Sequence, residues 1–186
     1  MRGVSLFSCV ALALAACTGV DRITYMDWTA LYTPGLVSYA AKNGEMAVEI
    51  SGNPFATATD AESIAGALSL PSYFAPARLT TRPGPGTASN IRLVLAFNAD
   101  VRGAAEYALC TRLSTLPVRP DGGETRVAMA FCASERPASW AVAEGPVGDG
   151  PRDPRFQRLM ATALLTLLPP NRSDNNMDRP CVAPSC

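Results

Sequence analysis

The sequence contains no histidine, and Lys42 is the only lysine among its 186 residues. Imidazole is the usual general base near neutral pH and the commonest metal ligand in proteins. Its absence excludes Ser-His-Asp and Cys-His catalysis and zinc sites that contain histidine. The 16 basic and 16 acidic residues balance, so the chain also lacks the strongly basic surface that nucleic-acid binding requires.

The N-terminus carries a hydrophobic run that is too short to cross a membrane. The apolar run from Val4 to Leu14 follows Arg2 and leads into small residues. A transmembrane helix needs roughly 20 apolar residues, and shorter runs of this kind are typical of signal-peptide cores. The beginning of the chain is therefore predicted to be an export signal.

The residues Leu14-Ala15-Ala16-Cys17 resemble the lipobox of bacterial lipoproteins. This resemblance implies cleavage between Ala16 and Cys17, removal of residues 1–16, and acylation of the Cys17 thiol. An ordinary cleaved signal is the alternative. Leu6-Phe7-Ser8-Cys9 is a poorer match because bulky Phe7 stands where a small side chain is needed. Since Thr18 is not the aspartate that retains lipoproteins at the inner membrane, the resemblance implies the periplasmic face of the outer membrane.

The remaining chain is long enough for one domain with its own core. We expect a lipidated, partly docked linker over residues 17–33, an α+β domain over 34–168 and a disordered tail over 169–186. The domain is predicted to hold a roughly four-stranded, mostly antiparallel sheet and about three helices. The predicted strands are Glu45–Ser51, Ile91–Asn98, Thr125–Cys132 and Ser139–Glu144. The apolar run from Leu93 to Phe97 predicts burial on both faces of its strand, and the last two strands are expected to form a hairpin. The predicted helices are Pro34–Lys42 with Thr33 as its N-cap, one from a Thr59/Glu62 capping box to Pro71, and one capped by Asp153-Pro154.

Four cysteines remain once Cys9 leaves with the signal and Cys17 carries lipid. Three pairings are open to them in an oxidising compartment. We favour Cys110 with Cys132, because both lie beside predicted strands and the loop between them is long. Cys181 with Cys186 would close a small loop in the tail and contribute little to the fold.

Residues with catalytic potential are few. Ser38 and Lys42 stand four apart on a predicted helix, but a Ser-x-x-Lys spacing is not met and a lysine suits a helix C-terminus on electrostatic grounds. Glu45 and Glu49 share the outer face of one strand, where solvated charges are common. We therefore expect no catalytic residue, no metal site and no cofactor.

The leading functional hypothesis is a non-enzymatic lipoprotein that supports an envelope assembly by binding a protein partner. Three short motifs, Gly52-Asn53-Pro54-Phe55, Phe97-Asn98 and Leu109-Cys110, resemble uncharacterised small envelope lipoproteins, which supplies no activity. An alternative is a small-ligand binder, and a Ser38–Lys42 enzyme is a third hypothesis that would require Lys42 to be buried. The ligand pocket of the alternative would use the aromatic residues Tyr25, Trp28, Tyr32, Tyr73 and Phe74.

Overall fold

The computed structural model describes residues 21–101, 105–119 and 124–171. These residues form six strands, four α-helices and one short 3₁₀ turn over Leu113–Thr115. The strands are β1 (Arg22–Trp28), β2 (Glu45–Ser51), β3 (Arg78–Thr80), β4 (Ile91–Phe97), β5 (Thr125–Ala133) and β6 (Arg136–Gly145), and the helices are α1 (Pro34–Ala40), α2 (Ala61–Gly66), α3 (Ala105–Thr111) and α4 (Pro154–Leu167).

All six strands belong to one mixed sheet with the order β1-β6-β5-β4-β2-β3. The pairs β1–β6, β6–β5 and β5–β4 are antiparallel, whereas β2 pairs in parallel with both β4 and β3. The predicted α+β class is confirmed. The predicted count of four strands and three helices was too low, and the sheet is less antiparallel than expected because α2 connects β2 to β3 as a parallel crossover.

The two strands that the prediction missed lie at the two edges of the sheet. Residues 22–28, expected to belong to a linker, form β1 and pair with β6 from Arg22 opposite Glu144 to Trp28 opposite Ser139. Apolar residues alternate in β1 only in two short pieces, Ile23 with Tyr25 and Met26 with Trp28. The change of phase between them breaks the pattern by which a strand is recognised. Strand β3 has only three residues, too few for any periodic pattern.

Helix starts are fixed by side-chain caps. The Thr33 Oγ1 accepts a hydrogen bond from the Leu36 amide at 3.2 Å, and Asp153 caps α4 through the Arg155 amide at 2.9 Å, both as predicted. For α2 the predicted cap at Thr59 was wrong. Asp60 takes that position and accepts from the Ser63 amide at 3.0 Å.

Glu62 therefore does not take part in the N-terminal cap of α2, where the capping-box prediction placed it. Its carboxylate accepts hydrogen bonds from the Thr80 hydroxyl and the Thr81 amide, both at 2.7 Å. Burial alone would raise the pKa of Glu62, but these hydrogen bonds outweigh burial and lower it. The ion pair with Arg78 at 3.4 Å adds to the same effect. Glu62 thereby fastens helix α2 to the short edge strand β3.

The sheet buries side chains on both faces. Helix α4 brings Phe156, Leu159 and Leu164 onto a large core that α1 and α2 complete. On the opposite face α3 and the 3₁₀ turn cover a smaller cluster around Val94, Ala128 and Leu109. Strand β4 is buried on both faces, as its apolar run predicted. Two tyrosine hydroxyls satisfy carbonyls at the end of α4: Tyr32 donates to Pro169 and Tyr73 to Leu168, each at 2.6 Å.

The predicted hairpin is confirmed as β5 and β6. Ala133 pairs with Arg136, which leaves Ser134 and Glu135 as a two-residue loop. Ser134 has a φ of +56°, the positive value at the first loop position that a type II′ turn requires. The turn of this hairpin is thus set by the backbone conformation of its own loop residues.

The chain reverses after β2 at the motif Gly52-Asn53-Pro54-Phe55. Gly52 has a φ of +81°, and a Cβ atom there would lie 2.7 Å from the Phe97 carbonyl oxygen. The Asn53 side chain accepts from the Phe55 amide at 3.1 Å and donates to the Thr57 carbonyl at 2.7 Å. Phe55 therefore turns back into the core, where its ring meets Phe156 at a centroid distance of 5.1 Å.

A disulfide joins Cys110 to Cys132, as predicted, with Cα atoms 5.7 Å apart. Cys110 lies on helix α3 rather than beside a strand, so the bridge ties that helix to the sheet. Arg92 reinforces this attachment, since its guanidinium donates to the Cys110 carbonyl at 2.9 Å and to Glu49 at 2.8 Å. One helix is thus held at its C-terminal end by both a covalent and a charged contact.

We predict that Gly52→Ala lowers the free energy of unfolding by about 1–3 kcal/mol, since alanine is strained at this φ and meets a carbonyl oxygen. Gly66→Ala is the matched control. A Cβ at Gly66 has no neighbour within 4 Å, and alanine in a helix is favoured by about 0.5–1 kcal/mol. Urea denaturation measures both, and equal destabilisation by the two substitutions would contradict the assignment.

Replacing Cys110 and Cys132 together by alanine is expected to cost about 3 kcal/mol, because the bridge restricts the unfolded chain. Thermal unfolding with and without reductant checks this. The wild type should lose stability on reduction and the double variant should not respond. The matched control, Cys181→Ala with Cys186→Ala, is expected to unfold like the wild type.

Candidate functional site

Helix α3 covers only part of its face of the sheet, and a concavity of about 610 Å³ remains between this helix and strand β1. Strands β1, β5 and β6 form its base, and its rim includes Val101 and the start of α3. The lining residues are Thr24, Tyr25, Val101, Glu106, Arg126, Trp140, Val142 and Glu144. We call this concavity the Tyr25–Trp140 pocket.

The aromatic wall of the pocket is a stacked pair. The rings of Tyr25 and Trp140 have centroids 4.0 Å apart and an interplanar angle of 29°. The β-bulge between Ile23 and Tyr25 changes the register of β1, and bulges commonly redirect a side chain in this way. Trp140 is only 8% exposed, whereas Tyr25 is 45% exposed. Tyr25 therefore covers the indole and offers its outer ring face to a ligand.

Asn98 positions two arginines beside the pocket. It has a φ of +55°, a left-handed conformation that asparagine tolerates better than most residues. Its amide and side chain pair with the Arg126 backbone at 2.7 and 3.1 Å, and its carbonyl accepts from the Arg119 amide at 2.7 Å. The left-handed conformation of Asn98, directly after β4, thus brings Arg119 and Arg126 together beside the pocket.

These arginines surround the carboxylate of Glu144. Arg22 donates to it at 2.5 and 3.0 Å, and Arg119 and Arg126 approach it at 3.5 and 3.7 Å. Hydrogen bonding to Glu144 raises the pKa of Arg22. Glu124 also acts on Arg22, and Glu106 lies in the same lining, so the carboxylates around the pocket match the three cations in number.

Two buried polar atoms at the pocket have no hydrogen-bond partner. The Arg126 Nε lies 3.7 Å from Glu144, too far for a hydrogen bond, and the Glu106 Oε2 has no partner at all. Leaving such a group unpaired costs about 1–3 kcal/mol each. Both atoms are buried from solvent, so a ligand in the open concavity does not reach them as they stand.

A second concavity of about 780 Å³ lies between α2 and the loop that precedes α4. Two of its three carboxylates are already occupied, since Asp60 caps α2, and Asp153 caps α4 and pairs with Arg155 at 3.0 Å. The hydrogen bonds from Arg155 hold the pKa of Asp153 far below its usual value. Because these groups serve the helix ends, the Tyr25–Trp140 pocket is the stronger candidate.

The five aromatic residues of the predicted pocket do not come together. Tyr32 and Phe74 are buried in the large core, and Trp28 packs against that core. Tyr73 meets Phe74 edge to face with centroids 4.9 Å apart. Tyr25 points to the opposite face, where its partner is Trp140. The prediction of which aromatic residues form a pocket was wrong. Tyr25 and Trp28 both belong to β1, and side chains of one strand alternate between the two faces of a sheet.

The two pairs with catalytic potential are held in structural contacts. Ser38 is exposed and donates to the Pro34 carbonyl at 3.2 Å, while exposed Lys42 lies 4.2 Å above the Tyr39 ring. The burial that a Ser-Lys mechanism requires is not met. Glu45 and Glu49 pair separately, with Arg78 at 2.5 Å and Arg92 at 2.8 Å, as expected for charges on an outer strand face.

Several predicted sites lie outside the described residues: the cleavage site at Ala16, the acylation site at Cys17, and the pair Cys181 and Cys186. Within residues 21–101, 105–119 and 124–171, no helix is long and apolar enough to cross a membrane. The same part of the chain has no group of three or more acidic or cysteine side chains arranged to hold a metal ion.

Comparison with protein-family models, with curated proteins and with solved structures found no match for this chain. Sequence reasoning missed Glu106, Arg126 and Trp140 as pocket residues. Trp140, which lies on an alternating strand, was the one sequence signal that could have indicated this pocket. An indole beside polar positions is typical of binding surfaces.

We predict that Tyr25→Ala exposes the indole of Trp140. The chain has two tryptophans, so the experiment uses a Trp28→Phe background in which only Trp140 fluoresces. Emission should move to longer wavelength as water reaches the ring. Tyr39→Ala, which removes an exposed tyrosine from α1, is the control. An unchanged spectrum for Tyr25→Ala would show that the stacking does not exist in solution.

Proposed function

We propose that this protein is a lipid-anchored envelope lipoprotein that binds a small ligand in the Tyr25–Trp140 pocket and carries out no chemistry of its own. The observation that carries the binding role is the concavity itself, in which the half-exposed ring of Tyr25 stacks on Trp140 beside Arg126 and Glu144. Aromatic walls with a few convergent polar groups are typical of ligand sites.

Support for the anchor comes from the signal sequence. The lipobox Leu14-Ala15-Ala16-Cys17 makes Cys17 the acylated first residue of the mature chain, at the periplasmic face of the outer membrane. A single acyl chain binds a bilayer only reversibly, whereas several chains bind it stably. The protein partner considered from the sequence gains no further support, because the described surface offers no feature that identifies one.

The fold supports an anchor close to the domain. Asp21 lies four residues after Cys17, and its carboxylate accepts from Arg158 of α4 at 2.6 Å. Strand β1 begins at the next residue. Four residues span at most about 14 Å, so a lipid on Cys17 would hold the β1 end of the sheet near the bilayer surface.

We expect Cys17→Ala to abolish acylation and to release the protein from the membrane fraction. Intact-mass spectrometry and membrane fractionation measure the two effects. Cys9→Ala is the matched control, because it removes a cysteine from the signal without touching the lipobox, and it should remain acylated and sedimenting. A wild-type mature chain that begins elsewhere, or an unmodified Cys17, would overturn the anchor.

A further inference from the structure

The wall of the Tyr25–Trp140 pocket offers one face of an aromatic ring. Trp140 stacks against the inner face of Tyr25, and Tyr25 nevertheless remains nearly half exposed. Because the buried indole supports this ring from below, the outer face is held in a fixed orientation. A ligand that uses this face needs a flat apolar surface about the size of one ring.

The carboxylate of Glu144 has one oxygen that its arginines do not saturate. Both hydrogen bonds from Arg22 go to Oε2. Arg119 and Arg126 approach the other oxygen, Oε1, at 3.5 and 3.7 Å, whereas a charge-assisted hydrogen bond from nitrogen measures about 2.7–2.9 Å. Glu144 lines the pocket, and its side chain is 13% exposed. The Oε1 atom can therefore accept a hydrogen bond from a ligand.

A hydroxyl group fits beside Glu144 better than an ammonium or a carboxylate does. One hydroxyl both donates and accepts, so it can donate to the Glu144 Oε1 and accept from the partly exposed guanidinium of Arg119. Thr24 offers a second contact in the same lining. Its hydroxyl donates to the Val142 carbonyl at 3.3 Å, which leaves its oxygen as an acceptor. The rim thus suits a ligand with several hydroxyl groups.

The charges around the pocket select an uncharged ligand. Cations and anions are equal in number there, and they are Arg22, Arg119, Arg126, Glu106, Glu124 and Glu144. A ligand with a net charge would draw one of these groups from its partner and leave the other unpaired. An unpaired charge in a partly buried site is costly, whereas hydroxyl groups leave the balance intact.

We infer that the Tyr25–Trp140 pocket takes an uncharged sugar ring. This inference rests on the proposed binding role and names its ligand class. One face of a pyranose ring carries C–H groups and can stack on Tyr25, while the hydroxyl groups at its edge meet Glu144 and Arg119. A planar heterocycle has a flat face too, but each group on its edge only donates or only accepts. No single edge group of a heterocycle can therefore bridge Glu144 and Arg119.

NMR titration of the purified wild-type lipoprotein in detergent tests the ligand class. The chain has two tryptophans, and Trp28→Phe identifies which indole N–H signal belongs to Trp140. The probes are the methyl glycosides of glucose, galactose, mannose and N-acetylglucosamine, and at least one of them should shift the Trp140 signal. Absence of a shift with all four sugars overturns the inference.

Matched charged sugars test the role of charge. The amino-sugar and uronic-acid analogues of the tightest-binding glycoside add a positive or a negative charge to the same ring. Each should bind at least about tenfold more weakly than the neutral sugar, because it leaves a charged group of the rim unpaired. A charged analogue that binds as tightly as the neutral sugar, or more tightly, overturns the inference.

Substitutions of Tyr25 test the stacking. Tyr25→Ala should weaken binding of the neutral sugar by about three- to tenfold, the loss expected for one aromatic contact. Tyr25→Phe keeps the ring and should bind like the wild type. Equal weakening by the two substitutions contradicts the stacked ring. The comparison of sugars on the wild type needs no substitution and remains decisive if a variant does not fold.

Substitutions of the charged rim should change which sugar is preferred. Glu144→Gln removes a negative charge and should favour the uronic acid, whereas Arg119→Gln removes a positive charge and should favour the amino sugar. Glu135→Gln and Arg112→Gln change exposed residues outside the pocket and should leave the preference unaltered. An unaltered preference in folded Glu144→Gln and Arg119→Gln contradicts the charge argument.

Adenosine separates the ligand class from the binding role. If adenosine shifts the Trp140 signal and binds more tightly than every sugar, the pocket binds a ligand but the sugar is wrong. If no probe shifts the signal, both the binding role and the sugar are contradicted. Soluble probes need no anchor, so their binding by Cys17→Ala separates a failure of the lipid anchor from a failure of the pocket.

A disaccharide identifies the source of the sugar. If methyl cellobioside binds more tightly than methyl glucoside, a second sugar unit makes contacts of its own and the ligand is a glycan chain. Equal affinity of the two assigns the pocket to a single sugar, and either result supports the inference.

Discussion

The pairing of β1 with β6 is the constraint on which the candidate site depends. Strand β1 buries little of its own surface, so it is held by backbone hydrogen bonds and by ion pairs at its N-terminal end, Arg22 with Glu144 and Asp21 with Arg158. This pairing places Tyr25 over Trp140 and creates one wall of the pocket. Under the proposed acylation of Cys17, the same edge strand would be the part of the domain nearest the anchor.

Those parts of the fold with regular burial could be predicted from sequence. Strand β2 alternates, β4 is apolar throughout, and α4 carries its apolar residues at helical spacing, so each pattern identifies the element and the face it buries. The failures have physical causes. The apolar residues of β1 change phase within the strand, and β3 is too short for a period. Thr59 and Asp60 are both good N-cap residues, so the local sequence does not decide between them.

The candidate site was less predictable than the fold. Its central carboxylate and one of its arginines, Glu144 and Arg22, are 122 residues apart, and only the complete sheet brings them together. Of the five aromatic residues predicted to form a pocket, Tyr25 and Trp28 fall on opposite faces of the sheet, and Tyr32 and Phe74 are buried in the large core. The disulfide was predictable because few cysteines remained to pair, and that same bridge positions the helix that carries Glu106.

The attachment of α3 has a consequence for when the pocket exists. Glu106 forms one side of the site from a helix of seven residues, and the bond from Cys110 to Cys132 fixes the far end of that helix to the sheet. While these thiols are reduced, as they are during synthesis, that side is held by non-covalent contacts alone. Under the proposed export, the bond would form only on the far side of the inner membrane, and the side of the concavity that Glu106 forms would be fixed there.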